Sequence, residues 1–318
     1  MAVNWMRRTV LVAACASVAM LAACGSSTIE SAIAPTRFIA FGDAVSDIGQ
    51  NGTRYTVNDG SVNNWTLHIA NNYGKTITAV SAGGQGYATG NARIKLSPDA
   101  AGNAATPTIT GQIDAFLAAG GRFGPSDVVL MSGGTSDVIA GMAAVQAGTQ
   151  TEADMATAAR QAGEDMAAQV RRLVAAGAKY VVVTGTYDLG KTPWAKRIAR
   201  EAALSNASSR VNEGLLVGIV DQGANVLYVD LAYYVNLYTQ SPGSFSFSNA
   251  VTPVCTSIDA GNGIGTGPGQ VSSALCSPAT LLPGANPSSY VFADSVYLTP
   301  AAQRQFGTYA YDRLRVRW

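Results

Sequence analysis

Short, continuous apolar runs alternate along this chain with longer stretches of helical periodicity. Phe38-Ile39-Ala40-Phe41, Val128-Val129-Leu130-Met131, Tyr180-Val181-Val182-Val183 and Val226-Leu227-Tyr228-Val229 have no polar position to turn toward water. Such runs are strands of a parallel sheet covered on both faces, not strands with one wet side. The expected strands are 37–41, 75–79, 127–132, 179–184 and 225–230. Helices are expected over 63–73, 109–119, 151–176, 195–220, 299–314 and from 231 to 237. Asn63 or Asn64 caps the first, Thr151 caps the third ahead of Glu152 and Asp154, and Pro300 sits near the start of the last. Residues 83–94 form a Gly-rich loop. Residues 241–289, rich in Gly, Ser, Pro and Asn, form a long excursion without periodicity. Strands alternating with helices define an α/β class, here with five strands and no internal repeat.

The turn after the first strand carries the chemistry. Phe41-Gly42-Asp43-Ala44-Val45-Ser46-Asp47-Ile48-Gly49 resembles F-G-D-S-x-S-D-x-G, the first block of the GDSL, or SGNH, family of ester hydrolases. Tyr187-Asp188-Leu189-Gly190-Lys191-Thr192-Pro193 resembles the family's L-P-D-L-G-x-T-P. Asp294-Ser295-Val296-Tyr297-Leu298-Thr299-Pro300 resembles D-x-V-H-P-T. The resemblance covers nearly all of residues 37–318. It implies one three-layer α/β/α domain of flavodoxin-like type, with strand order 2-1-3-4-5.

That family attacks esters with a Ser nucleophile, a His base and an Asp that orients the His. A Gly amide and an Asn side chain join the Ser amide in the oxyanion hole. Here Ala44 stands at the Ser position and Tyr297 at the His position. Ser136, in Gly133-Gly134-Thr135-Ser136-Asp137, stands where the family has Asn. Asn91 stands on the second Gly of Y-A-x-G-G-A-R when Tyr87 to Arg93 is aligned with that block. Asp294 alone of the triad is retained. A methyl group cannot attack a carbonyl, and a phenol with a pKa near 10 is a poor base at neutral pH.

No other residue replaces the set. Ser46 reads as a turn or capping residue, and Ser132 and Ser136 have no His beside them in sequence. His68 lies within a helix, between Leu67 and Ile69. Asp43, Asp47 and Asp137 read as structural carboxylates rather than a cation site. The loop from Gly83 to Gly90 lacks the Gly-Lys-Ser/Thr ending of a phosphate loop. No metal or cofactor is implied.

The ends and the charge place the domain. The 318 residues carry a formal net charge of +1 with no basic block, which gives nucleic acid no footprint. Residues 1–23 read as a signal segment, with Arg7 and Arg8 ahead of an apolar run too short to remain as a membrane span. Leu21-Ala22-Ala23-Cys24-Gly25 resembles the bacterial lipobox. That resemblance implies cleavage before Cys24, a lipid on its sulfur, a tether over 24–36 and a place in the outer membrane of the envelope. Past Cys24 only Cys255 and Cys276 remain. In an exported chain they read as a disulfide-closed loop, with two free buried thiols as the alternative.

Three functions fit these residues. The first is a non-hydrolytic relative that binds an acyl, lipid or glycan ligand, or a partner. The second is an altered esterase in which Tyr297 or Ser136 polarises a carbonyl while water attacks. The third is a structural envelope lipoprotein. The first and third differ in whether the rim of Ala44, Asn91, Ser136 and Tyr297 is open or filled.

Overall fold

The computed structural model describes residues 31–318. The signal segment, the lipobox and Cys24 lie outside the described residues. Four parallel strands, β1 (Arg37–Phe41), β2 (Asp127–Ser132), β3 (Tyr180–Thr184) and β4 (Val226–Tyr228), form one sheet in that order. Arg37 pairs with Asp127, Val128 with Tyr180 and Val181 with Val226 at the start of each ladder. Among the described residues eight α-helices flank it: α1 (Trp65–Asn72), α2 (Ile109–Ala118), α3 (Thr135–Gln146), α4 (Glu152–Ala175), α5 (Pro193–Ile198), α6 (Glu201–Gly218), α7 (Leu231–Gln240) and α8 (Pro300–Arg317).

The apolar runs are buried on both sides because alternate residues enter two different cores. Phe38, Val128, Leu130 and Val182 meet Trp65 and Ile69 of α1, Val138 and Met142 of α3, Val235 of α7 and Phe306 of α8. Ile39, Phe41, Val129, Met131 and Val181 meet Ile113 and Phe116 of α2 and Met166 and Val170 of α4. These are the three layers.

Local chemistry sets the boundaries. The Asn64 side chain accepts from the Thr66 amide to open α1. Thr151 and Asp154 close a reciprocal capping box on α4. Thr299 caps α8, with Pro300 in its first turn.

The structure departs from the sequence reading in three places. The sheet has four strands, not five, because 75–79 does not form one. The Gly-rich loop lies along the free edge of β1 instead: Ala40 donates to the Gln85 carbonyl at 3.0 Å and accepts from the Tyr87 amide at 2.7 Å. Gly86 makes single bridges to both Ala40 and Ala79. A Cβ at Gly84 would collide with the Thr78 carbonyl, so the chain folds back too tightly for a longer ladder. The expected 195–220 helix is two helices, broken at Ala199 in a left-handed conformation (φ 51°). The short helix α3, which the sequence reading passes over, grows directly from the Gly133-Gly134 turn.

The excursion is ordered by a Cys255–Cys276 disulfide, by short bridges and by four short 3-10 turns, Pro242–Phe245, Ser273–Leu275, Pro278–Thr280 and Pro287–Ser289, without an α-helix. A bridge of that sequence separation stabilises by roughly 3 kcal/mol in the chain-entropy picture.

Helices α4 and α6 touch at backbone distance. A Cβ on Gly163 would overlap the Val211 carbonyl, and one on Gly214 the Arg160 carbonyl. The variant Gly163→Val should therefore destabilise the fold by about 1–3 kcal/mol, read as a lower urea midpoint. An unchanged midpoint would show that the two helices can part without loss.

Candidate active site

Four segments converge at the carboxyl end of the sheet, where open α/β folds place their sites. They are the turn after β1, the first turn of α3, the loop 89–93 and the segment 294–297. The turn after β1 starts at Gly42 (φ 150°), whose absent Cβ would sit 2.7 Å from the Ser132 carbonyl oxygen. Asp43 follows with a fully buried carboxyl. Its Oδ1 accepts from the Val45 amide and the Ser132 hydroxyl, both at 3.1 Å. Burial raises its pKa from 3.8 to about 6, against the pull of those hydrogen bonds.

Ser46 is committed to this network. Its hydroxyl lies 2.7 Å from that of Ser132 and accepts from the Trp65 indole at 3.0 Å. It is a structural residue of the turn. His68 is remote: its Nε2 meets the Thr308 hydroxyl at 3.0 Å on an exposed surface between α1 and α8.

Asp294 no longer orients an imidazole. Its Oδ1 accepts from the Val296 and Tyr297 amides at 2.8 and 2.7 Å. Its Oδ2 accepts from the Ser273 amide at 2.9 Å. The retained carboxylate thus ties the turn before α8 to the disulfide-bearing excursion. Tyr297 is buried edge-on against Tyr55, with ring centroids 5.3 Å apart. Its hydroxyl finds no hydrogen-bond partner among the described residues. Burial first, and then nearby Asp43, hold its pKa well above 10. At neutral pH it is a proton donor and not a base.

The positions read from the resemblance as the oxyanion hole are also enclosed. Ser136 is buried at the start of α3 with its hydroxyl unpaired. Asn91 adopts φ 61°, a left-handed conformation that Asn tolerates better than most residues. Its Nδ2 donates to the Gly263 carbonyl at 2.7 Å, joining the loop to the excursion. Ala44, Asn91, Ser136 and Tyr297 are 2%, 6%, 0% and 1% exposed. The rim is filled, not open.

Tyr55 is the site residue that the sequence reading missed. Its ring occupies the space where a Gly90 side chain would stand. Gly90 is held there by the hydrogen bond its backbone amide donates to Asp47 Oδ2 at 2.7 Å. The only hint in the sequence was a glycine where a ring needed room. Asp137 is likewise structural, accepting from the Ile94 amide at 3.0 Å and pairing with Arg93 at 3.3 Å. An open cleft of about 330 Å³ does exist nearby, but it runs between α3 and α4, past Ala140, Gly141, Met155 and Ala159. It does not include Ala44 or Tyr297.

Comparison with known proteins supplies the frame for this geometry. A sequence profile described as GDSL-like lipase/acylhydrolase matches residues 38–309. A Pseudomonas putida protein described as an uncharacterized protein in the trpE-trpG intergenic region is 27% identical over 203 residues. That match covers 64% of this chain and 31% of the relative, so the chain spans about a third of that protein's length. A solved crystal structure matches 63% of this chain and 84% of its own at 16% identity and a TM-score of 0.37, too loose a superposition to argue from.

Two outcomes follow from the buried polar groups. Replacing Tyr297 by Phe removes an unpaired buried hydroxyl, so the melting temperature should hold or rise, by up to about 1 kcal/mol of stability. A clear loss would mean that the hydroxyl has a partner. The second concerns pH. Asp43 keeps its proton in the fold up to about pH 6, whereas an unfolded Asp gives it up near 3.8. Its stabilising contribution, roughly 3 kcal/mol, is full below about pH 4 and lost as pH rises through 6. Asp47, Asp137 and Asp294 shift the same way, all chiefly by burial. The protein should melt higher at pH 5 than at pH 7, and Asp43→Asn should flatten that difference. A melting temperature that climbs from pH 5 to pH 7 in both proteins contradicts this.

Proposed function

The chain belongs to the GDSL-like lipase/acylhydrolase family, and from that premise we propose that it is a member that does not hydrolyse esters by the family's Ser-His-Asp route. The observation that supports this most is the joint state of the three triad positions. Ala44 has no nucleophile, Tyr297 is a neutral buried phenol, and Asp294 spends its oxygens on backbone amides. Loss of the Ser or the His from such a triad lowers turnover by about a millionfold, and further losses add little.

What remains is an intact scaffold with a filled centre. A ligand in the old acyl site would have to displace the Tyr55–Tyr297 pair and break the Asn91–Gly263 bond. That favours a role through the outer surface, as an exported, Cys24-anchored partner-binding protein of the envelope, over an acyl or glycan carrier in the cleft. A second reading has one specific observation behind it. The hydroxyls of Ser136 and Tyr297 are buried and unspent. Both are free to donate to a carbonyl oxygen, as an altered esterase would require.

Hydrolysis of short- and long-chain nitrophenyl esters separates the two. The natural protein is expected to stay at the uncatalysed rate. The single variant Ala44→Ser should stay silent too, because no His activates the new hydroxyl. Turnover in the natural protein that falls in Tyr297→Phe would establish the second reading. Turnover that Tyr297→Phe leaves unchanged would refute both and require a different nucleophile.

A further inference from the structure

We infer that the end of the domain opposite the filled site is a docking surface for an anionic phospholipid layer. The inference rests on the reading of Cys24 as an acylated residue. The chain enters the fold at that end and is fastened there. Ala32 donates to the Trp318 carbonyl at 3.1 Å, and the Ser31 hydroxyl donates to the same oxygen at 2.6 Å. Trp318 in turn packs edge-on against Tyr180, the first residue of β3, at 5.1 Å. Only six residues separate Cys24 from Ser31, so seven chain steps keep the anchor within about 25 Å of this end even when fully extended. The carboxyl end of the sheet, with the filled site and the excursion, lies opposite the end where Ser31 and Ala32 are fastened.

The composition of this end suits an anionic interface. The last six residues read Arg-Leu-Arg-Val-Arg-Trp, and Lys179 stands exposed beside them at the start of β3. The Arg317 side chain reaches the Gly223 carbonyl, which brings the end of α8 against the turn after α6. Val316, Val217 and Val220 are 58%, 60% and 80% exposed there. Arginines in a last helical turn are ordinary partners of the helix dipole. Three exposed valines at the same end are not explained that way. Apolar side chains among Lys, Arg and Trp are the makeup of interfacial segments. The acidic groups nearby, Asp312 and Asp221, are each paired with an arginine, Arg315 and Arg171. The cationic surplus at this end rests on Arg313, Arg317 and Lys179, for which no acidic partner is found among the described residues, while Arg315 lies over the Tyr311 ring.

The experiment uses the purified full chain and its Cys24→Ser variant. Each is tested with phosphatidylcholine vesicles with and without phosphatidylglycerol. The Cys24→Ser chain should sediment with the phosphatidylglycerol vesicles in a salt-sensitive way. Adding Arg313→Gln, Arg315→Gln and Arg317→Gln should weaken that binding roughly tenfold or more. For the acylated chain, a bimane label on Val316→Cys should be quenched by doxyl-labelled lipid several-fold more than one on Ile258→Cys, in the excursion. Equal quenching, stronger quenching at position 258, or vesicle binding indifferent to the three arginines overturns the proposal. So does self-association through this end without vesicle binding. The mass of the Cys24 peptide tests the anchor separately. A peptide without acyl groups refutes the anchor, while the Cys24→Ser sedimentation still decides the surface.

Discussion

One carboxylate accepting three backbone amides in a fully buried place holds the carboxyl end of this sheet together. Asp294 joins the turn that leads into α8, through Val296 and Tyr297, to the excursion, through Ser273. A carboxyl group so deep is tolerable only if its polar atoms are met, and here amides meet them. The disulfide one wall away fixes the same excursion from within. Remove the carboxylate, and the segment carrying Tyr297 keeps only its backbone ties to the excursion, among them those from Val254 to Phe292 and from Cys255 to Ala293.

The same bonds bear on the proposed loss of chemistry. In a working triad the carboxylate spends its charge on an imidazolium that appears during the reaction. Once backbone amides take its oxygens, no such demand is left. The hydroxyl of Ser46 is absorbed in the same fashion, between Trp65 and Ser132. The polar groups left at this end serve mainly as fasteners, and rings fill the space that a substrate would need.

Much of this was legible in the sequence, though unevenly. The four central strands announced themselves as unbroken β-branched and aromatic runs, since burial on both faces leaves no room for polar alternation. The motif spacing located Ala44, Ser136, Asp294 and Tyr297 at one end of the sheet. The edge beside β1 was misread because its pairing depends on how tightly Gly84 lets the chain fold back, which residue pattern does not encode. Helix α3 was hidden in a stretch of Ala, Gly and Met with little polar contrast. The break at Ala199 has neither Gly nor Pro to mark it. Tyr55 was invisible for a different reason: it sits in a loop without periodicity and meets Tyr297 across most of the chain length.

Asn91 closes the loop at little backbone cost. It holds a left-handed twist that glycine adopts freely and Asn tolerates. Its side-chain amide acts as a latch on the Gly263 carbonyl. A single neutral hydrogen bond contributes only about 1 kcal/mol, which is too little to keep a door shut against thermal motion. Any opening must therefore also part the Tyr55 and Tyr297 rings behind the latch and bare their apolar faces to water.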